Sequence, residues 1–142
     1  MTFTSLSLAV EQGQAGIYRL LFEAYVKKYN WAYGDHLGEI HFLQQSFLFT
    51  LYLLARYGGE WRSNIFYEDC FLRAFPQLVS QVHPVGSFYS PEKVVRLSYS
   101  LRCLERFAQF FGLVEIERNV NDRYSETFNV KKLPLLDLAV HF

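Results

Sequence analysis

The 142 residues of this chain suffice for one domain with a proper core. Fourteen basic residues balance fourteen acidic ones, which excludes a global field drawing the protein toward nucleic acid or an anionic membrane. Apolar residues make up 51% and aromatic residues 18%, a load that calls for a dense core, an apolar contact surface or both.

Residues 5–31 predict a first helix, because Leu6, Val10, Gly13, Ile17, Leu20, Leu21, Ala24 and Trp31 keep helical spacing. Gly13 and Gly16 weaken it, each by up to about 1 kcal/mol relative to alanine, and mark either a break or a close helix approach. The alternation Leu6, Leu8, Val10 also permits a short strand before Gly13. Asn30 to Asp35 is a linker, and Asp35 is the expected cap of a second helix over 36–57. Its centre, IHFLQQSFLFTLYLLARY, is apolar on nearly every side, the pattern of a central helix or one entering a subunit interface. Ser63 or Asn64 starts a third helix, which Pro76 interrupts, and Gln77 to Val82 add a further turn. His83-Pro84-Val85-Gly86 is a loop signal.

The helix over 91–111 is the best specified. Ser90 caps it, Pro91 suits its first position, and Gly112 stops it. Val94, Leu97, Leu101, Leu104, Ala108 and Phe111 share one face, with Tyr99, Cys103, Phe107 and Phe110 on a second apolar flank. A narrow polar strip remains: Ser98, Arg102, Glu105, Arg106 and Gln109. Residues 90–112 hold Lys93, Arg96, Arg102 and Arg106 against Glu92 and Glu105.

A β-hairpin over 113–132 follows. With Asp122 at the tip, Val114 faces Val130, Ile116 faces Phe128, Glu115 faces Asn129, Glu117 faces Thr127 and Arg118 pairs with Glu126. One face is apolar and one polar, so the ribbon lies against a core. Pro134 permits a short amphipathic tail whose leucines and Phe142 dock on that core.

Helix 91–111 followed by a strand, a polar turn and a strand resembles the last part of a winged-helix domain, in which a helix beside a two-stranded wing meets DNA. The resemblance is one of element order over the C-terminal half. It implies a fold mainly α with a C-terminal β-hairpin, a winged-helix-like single domain with an extra N-terminal helix. Residues 1–62 form the helical part and 63–142 the winged-helix-like part. It also implies a non-enzymatic regulator that contacts double-stranded DNA through Ser98, Arg102, Arg106 and Gln109 and through Arg118, Asn121 and Arg123 at the hairpin tip. Arginine matches guanine edges and phosphates through its planar fork, and glutamine reads adenine. Against this, Glu105 sits within the strip, Glu115 and Glu117 acidify the wing, and residues 76–90 exceed the turn of a helix-turn-helix.

The other reading is a homodimeric or partner-binding adaptor without nucleic-acid contact, suggested by aromatic surface beyond what one neighbour covers. Asp35, His36, Glu39 and His41 are the nearest approach to a metal set, but His41 points away from the face His36 and Glu39 share, so no metal and no cofactor is expected. Cys70 and Cys103 sit in apolar helical settings and read as free buried thiols. With no phosphate-cradling loop or nucleophile constellation, no enzyme and no small-molecule substrate is expected. No signal peptide is seen, and Phe47 to Ala55 is too short to span a bilayer, so a cytoplasmic location without membrane contact is expected.

Overall fold

The computed structural model describes residues 5–83, 88–122 and 125–140, with side chains from residue 15 onward. The chain divides into two compact units, residues 1–30 and residues 31–142. The first is a single helix, α1 (Ser5–Lys27). Helical spacing thus prevails over the strand-like alternation before Gly13. The helix closes earlier than 31, where the amides of Lys28 and Tyr29 both bond to the Ala24 carbonyl. A Cβ at Gly16 would meet no described atom within 4 Å.

The second unit is mainly helical with a small three-stranded antiparallel sheet. Its elements are α2 (His41–Gln45), α3 (Phe47–Tyr57), β1 (Arg62–Ser63), α4 (Asn64–Ala74), α5 (Leu78–Gln81), α6 (Pro91–Tyr99), a π-helix (Ser100–Gln109), β2 (Val114–Glu117), β3 (Asn129–Lys132) and α7 (Pro134–Ala139). Helix 36–57 is shorter at its start than its pattern suggests. Positive φ at Gly34, His36 and Gly38 coils residues 34–38 into a loop, and helix begins only at His41. Ser46 then breaks it in two, its hydroxyl donating to the Phe42 carbonyl at 2.6 Å. The start of α4 is as read: Ser63 accepts from the Ile65 amide at 3.2 Å. So is that of α6, where Ser90 accepts from the Lys93 amide and Pro91 takes the first position. Gly112, at φ 71°, ends the π-helix in the left-handed region that favours glycine.

The sheet order is β1-β3-β2. The hairpin pairs Val114 with Lys132, Ile116 with Val130 and Glu117 with Asn129, two residues away from the register read from the sequence. Parity is kept, so the apolar and polar faces survive. The cause is Phe128: its amide and carbonyl bond to the Asn64 side chain and backbone at the start of α4 instead of to β2. Strand β1, too short to leave a pattern, pairs Arg62 with Val130 and Ser63 with Asn129.

Much of the aromatic load goes into the core of this unit. Tyr67, Phe71, Tyr99 and Phe107 are fully buried with Leu43, Leu51, Leu54, Leu104, Leu113 and Val130. Phe71 packs on Tyr99 with ring centroids 4.7 Å apart, and Trp31 on Phe107 at 5.0 Å. Leu136 docks α7, whereas Leu138 is exposed and Phe142 lies outside the described residues. Both cysteines are free, Cys103 buried and Cys70 partly so. Among the described residues no helix is long and apolar enough to cross a membrane.

Candidate functional site

The polar strip of the 91–111 segment does not form one outward edge. From Ser100 the backbone bonds i→i+5 and each residue turns the helix by less than the 100° of an α-helix. Residues spaced for α geometry are therefore spread around the axis. Arg102 and Arg106 stay together, Glu105 swings away from them, and Gln109 emerges into solvent.

Arg102 is a buried residue, not a surface one. Its Nε and one terminal nitrogen donate to the two Asp35 carboxylate oxygens at 2.7 and 2.8 Å, and that terminal nitrogen also reaches the Gly38 carbonyl at 2.5 Å. Both side chains are 1% exposed. The left-handed residues 34–38 make this possible, since they fold Asp35 back onto the helix while Asp35 Oδ1 accepts from the Leu37 amide at 3.0 Å. Asp35 is therefore an arginine clamp, not the cap of a following helix. Burial alone would raise its pKa. The Arg102 fork, the Leu37 amide and the nearby Arg106 charge outweigh that and hold it below the usual carboxylate range.

The remaining strip residues are placed as follows. Ser98 is fully buried, its hydroxyl without a hydrogen-bond partner in the structure. Arg106 is partly covered and donates to the Tyr33 carbonyl at 3.1 Å and to Asp35 at 3.4 Å. Arg118 pairs with Glu105, not with Glu126, and lies over the Phe128 ring at 4.6 Å. Glu126 pairs instead with Lys93. Gln109 and Asn121 are exposed, with the Asn121 amide turned onto the Asn119 side chain at 3.0 Å. Arg123 lies outside the described residues. Ser98 and Arg102, expected on a solvent-facing strip, are thus corrected to interior positions: Ser98 is buried on α6, and the Asp35 loop encloses Arg102.

A second buried polar cluster joins α4 to the π-helix. Glu68 accepts from the Ser100 hydroxyl at 2.6 Å and from Asn64 Nδ2 at 3.3 Å. Asn64 Nδ2 also reaches the Glu126 carbonyl at 3.0 Å. Arg96 lies 3.4 Å from Glu68 and 2.7 Å from Asp69. Burial pushes the Glu68 pKa up, against the pull of Ser100 and Arg96. Beside this cluster a cleft of about 300 Å³ opens between Leu97–Glu105 and Ser125–Phe128. Its charged groups are engaged with one another (Asp35 with Arg102, Glu105 with Arg118, Glu126 with Lys93), so it presents no uncompensated charge. The histidines read beside Asp35 gather no ligand set: His41 Nε2 sits 3.2 Å from Glu39, both exposed.

An exposed apolar face lies on α1. Ile17, Leu20 and Leu21 are 60%, 68% and 58% exposed, and Ala24 continues their face one turn on. Ile17, Leu20 and Ala24 belong to the 3–4 spacing Leu6, Val10, Gly13, Ile17, Leu20, Ala24, Lys27, and Leu21 lies beside it. That is the a/d seam of a heptad repeat, on which Glu23 falls at g and Lys28 at the following e. The helical spacing of this stripe is legible in the sequence. Sequence reading missed Asp35, Glu68 and Asn64 as partners, because nothing local signals a pairing across 67 residues.

Comparison with protein-family models, with curated proteins and with solved structures returns no match.

Proposed function

We propose that this protein is a non-enzymatic, homodimeric interaction module whose subunits join along α1. The observation that carries this reading is the exposure of Ile17, Leu20 and Leu21 on a heptad-spaced face. Three large aliphatic side chains in water on one helix face are costly unless a partner covers them: fully burying one contributes about 1.5–3 kcal/mol. A second copy is the fitting occupant, because an a/d seam is self-complementary. In a parallel pair, Glu23 of one copy meets Lys28 of the other in the g-to-e' relation that sets partner and orientation.

The rest of the chain supports a binding role over a catalytic one. The buried ionisable groups neutralise one another: Arg102 clamps Asp35, and Glu68 is held by Ser100, Asn64 and Arg96. We retain the winged-helix-like order of helix and hairpin as a reading of the fold. A duplex-reading role would have to rely on Arg106, Gln109 and the hairpin tip, without Arg102.

Sedimentation velocity tests the proposal. The wild-type chain should sediment as a dimer at micromolar concentration, and Leu20→Glu should yield a folded monomer. A monomeric wild type, or a Leu20→Glu chain that still dimerises, would refute the assignment of the interface to α1.

A further inference from the structure

Most arginines of this protein are committed to carboxylates. Arg19, Arg96, Arg102, Arg106 and Arg118 each have an acidic partner. Among the described residues, Arg56, Arg62 and Arg73 have none within ion-pair distance. Two of these three lie together, and what they touch is aromatic. The Arg56 guanidinium stands 5.4 Å from the Tyr57 ring centroid. Arg62 stands 5.7 Å from the same ring and 4.8 Å from that of Phe66. The two rings meet edge to face at 5.2 Å. Arg62 Nε donates to the Tyr57 carbonyl at 3.0 Å.

The surroundings extend the same chemistry. Tyr52, one turn before Arg56 on α3, packs beside the Phe49 ring at 6.3 Å and keeps 38% of its surface exposed. Trp61, beside Arg62 at the start of β1, is also 38% exposed. Glu60 is the adjacent carboxylate in the chain, yet it forms no ion pair with either arginine. Guanidinium groups without an ion-pair partner, beside exposed aromatic rings, match a flexible polyanion whose monomers carry their own π-faces. A duplex hides those faces, whereas a single strand offers phosphates and unstacked bases alternately.

We propose that the α3–β1 corner, with Arg56, Arg62, Tyr52 and Trp61, is a binding surface for single-stranded nucleic acid. The arginines meet phosphates and the exposed rings stack on bases. This surface shares no residue with α1 or with the strip of helix 91–111. In a chain of zero net charge, a local site for a polyanion rests on where the unpaired arginines stand, not on the overall balance.

Fluorescence anisotropy of a labelled oligothymidylate, titrated at several salt concentrations, tests the proposal. The wild-type chain should bind with an affinity that falls as salt rises, by about 0.7 in log–log slope for each phosphate contact. Arg56→Ala, at a solvent-exposed position whose loss leaves the fold intact, should weaken binding several-fold and lower the slope. Arg56→Lys should keep the slope. Tyr52→Ala should weaken binding to oligothymidylate but not to inorganic polyphosphate, which has no bases. Arg73→Ala, at an exposed position outside the corner, should leave binding unchanged. Absence of binding by the wild type at low salt overturns the proposal. So does equal loss in Arg73→Ala, or a Tyr52→Ala effect that is the same for polyphosphate.

Discussion

Asp35 and Arg102 stand 67 positions apart in the chain and meet in a two-pronged ion pair with both side chains 1% exposed. The contact closes the loop after Trp31 onto the π-helix and removes from the surface the residue best suited to read DNA. Breaking a buried pair by deleting one partner is far more costly than never having had it. Arg102→Met alone should destabilise the second unit by about 3–5 kcal/mol, as should Asp35→Leu. The double substitution should cost clearly less than the sum of the two. Urea unfolding monitored by tryptophan fluorescence measures this, and strict additivity would show that the pair is not a coupled unit.

The two buried carboxylates should shape the pH dependence of stability in opposite senses. Asp35 has a folded-state pKa below its unfolded value, so its contribution is complete above about pH 4 and is lost as pH falls through the lower, folded value. Glu68 has a raised folded pKa. Its contribution is complete below about pH 4 and is lost as pH rises through the higher, folded value. Asp35→Asn should therefore abolish part of the acid limb of the stability profile. Glu68→Gln should remove the loss on going toward neutral pH. Denaturant unfolding between about pH 3 and 7 reads both, and identical profile shapes for the two variants would contradict the assignment.

Asn64 holds the hairpin by replacing a strand. Its Oδ1 accepts from the Phe128 amide at 2.9 Å and its Nδ2 donates to the Glu126 carbonyl at 3.0 Å. Asn64→Leu should cost about 2–4 kcal/mol, since each buried group left unpaired costs about 1–3. The Phe128 amide should lose its protection from hydrogen exchange while amides of α3 keep theirs. Unchanged protection at Phe128 would mean that the side chain is not its acceptor.

Charge reversal tests the geometry of the proposed α1 pair. Glu23→Lys should weaken dimerisation through like charges facing Lys28, by a few tenths to about 1 kcal/mol. Adding Lys28→Glu should restore it. Failure of the second change to rescue the first would argue for an antiparallel pair or a different face.

Burial raises the Cys103 thiol pKa to about 12, so this cysteine should resist alkylation in the native state. Iodoacetamide labelling followed by mass spectrometry should modify Cys103 only on unfolding. Labelling of Cys103 at a rate equal to that of Cys70 in native protein would show that the core opens readily.

Where a helix start or stop is set within one turn, it was legible from residue types alone, whereas the start of the helix expected over 36–57 was not. Ser63 and Ser90 accept from amides two or three residues on, and Gly112 ends its helix, because each interaction lies within one turn. The hairpin faces were legible for the same reason, since alternation survives a shift of two. What the linear pattern could not contain is which charged group meets which. The π-helical turn that separates Glu105 from Arg102, the left-handed loop that delivers Asp35, and the capture of Phe128 by Asn64 all depend on partners brought in from other parts of the chain. An arginine is equally at home on a solvated face or beside a buried carboxylate. Only the packed structure, by excluding water from one and not from the other, decides which arginines are spent inside and which remain outside.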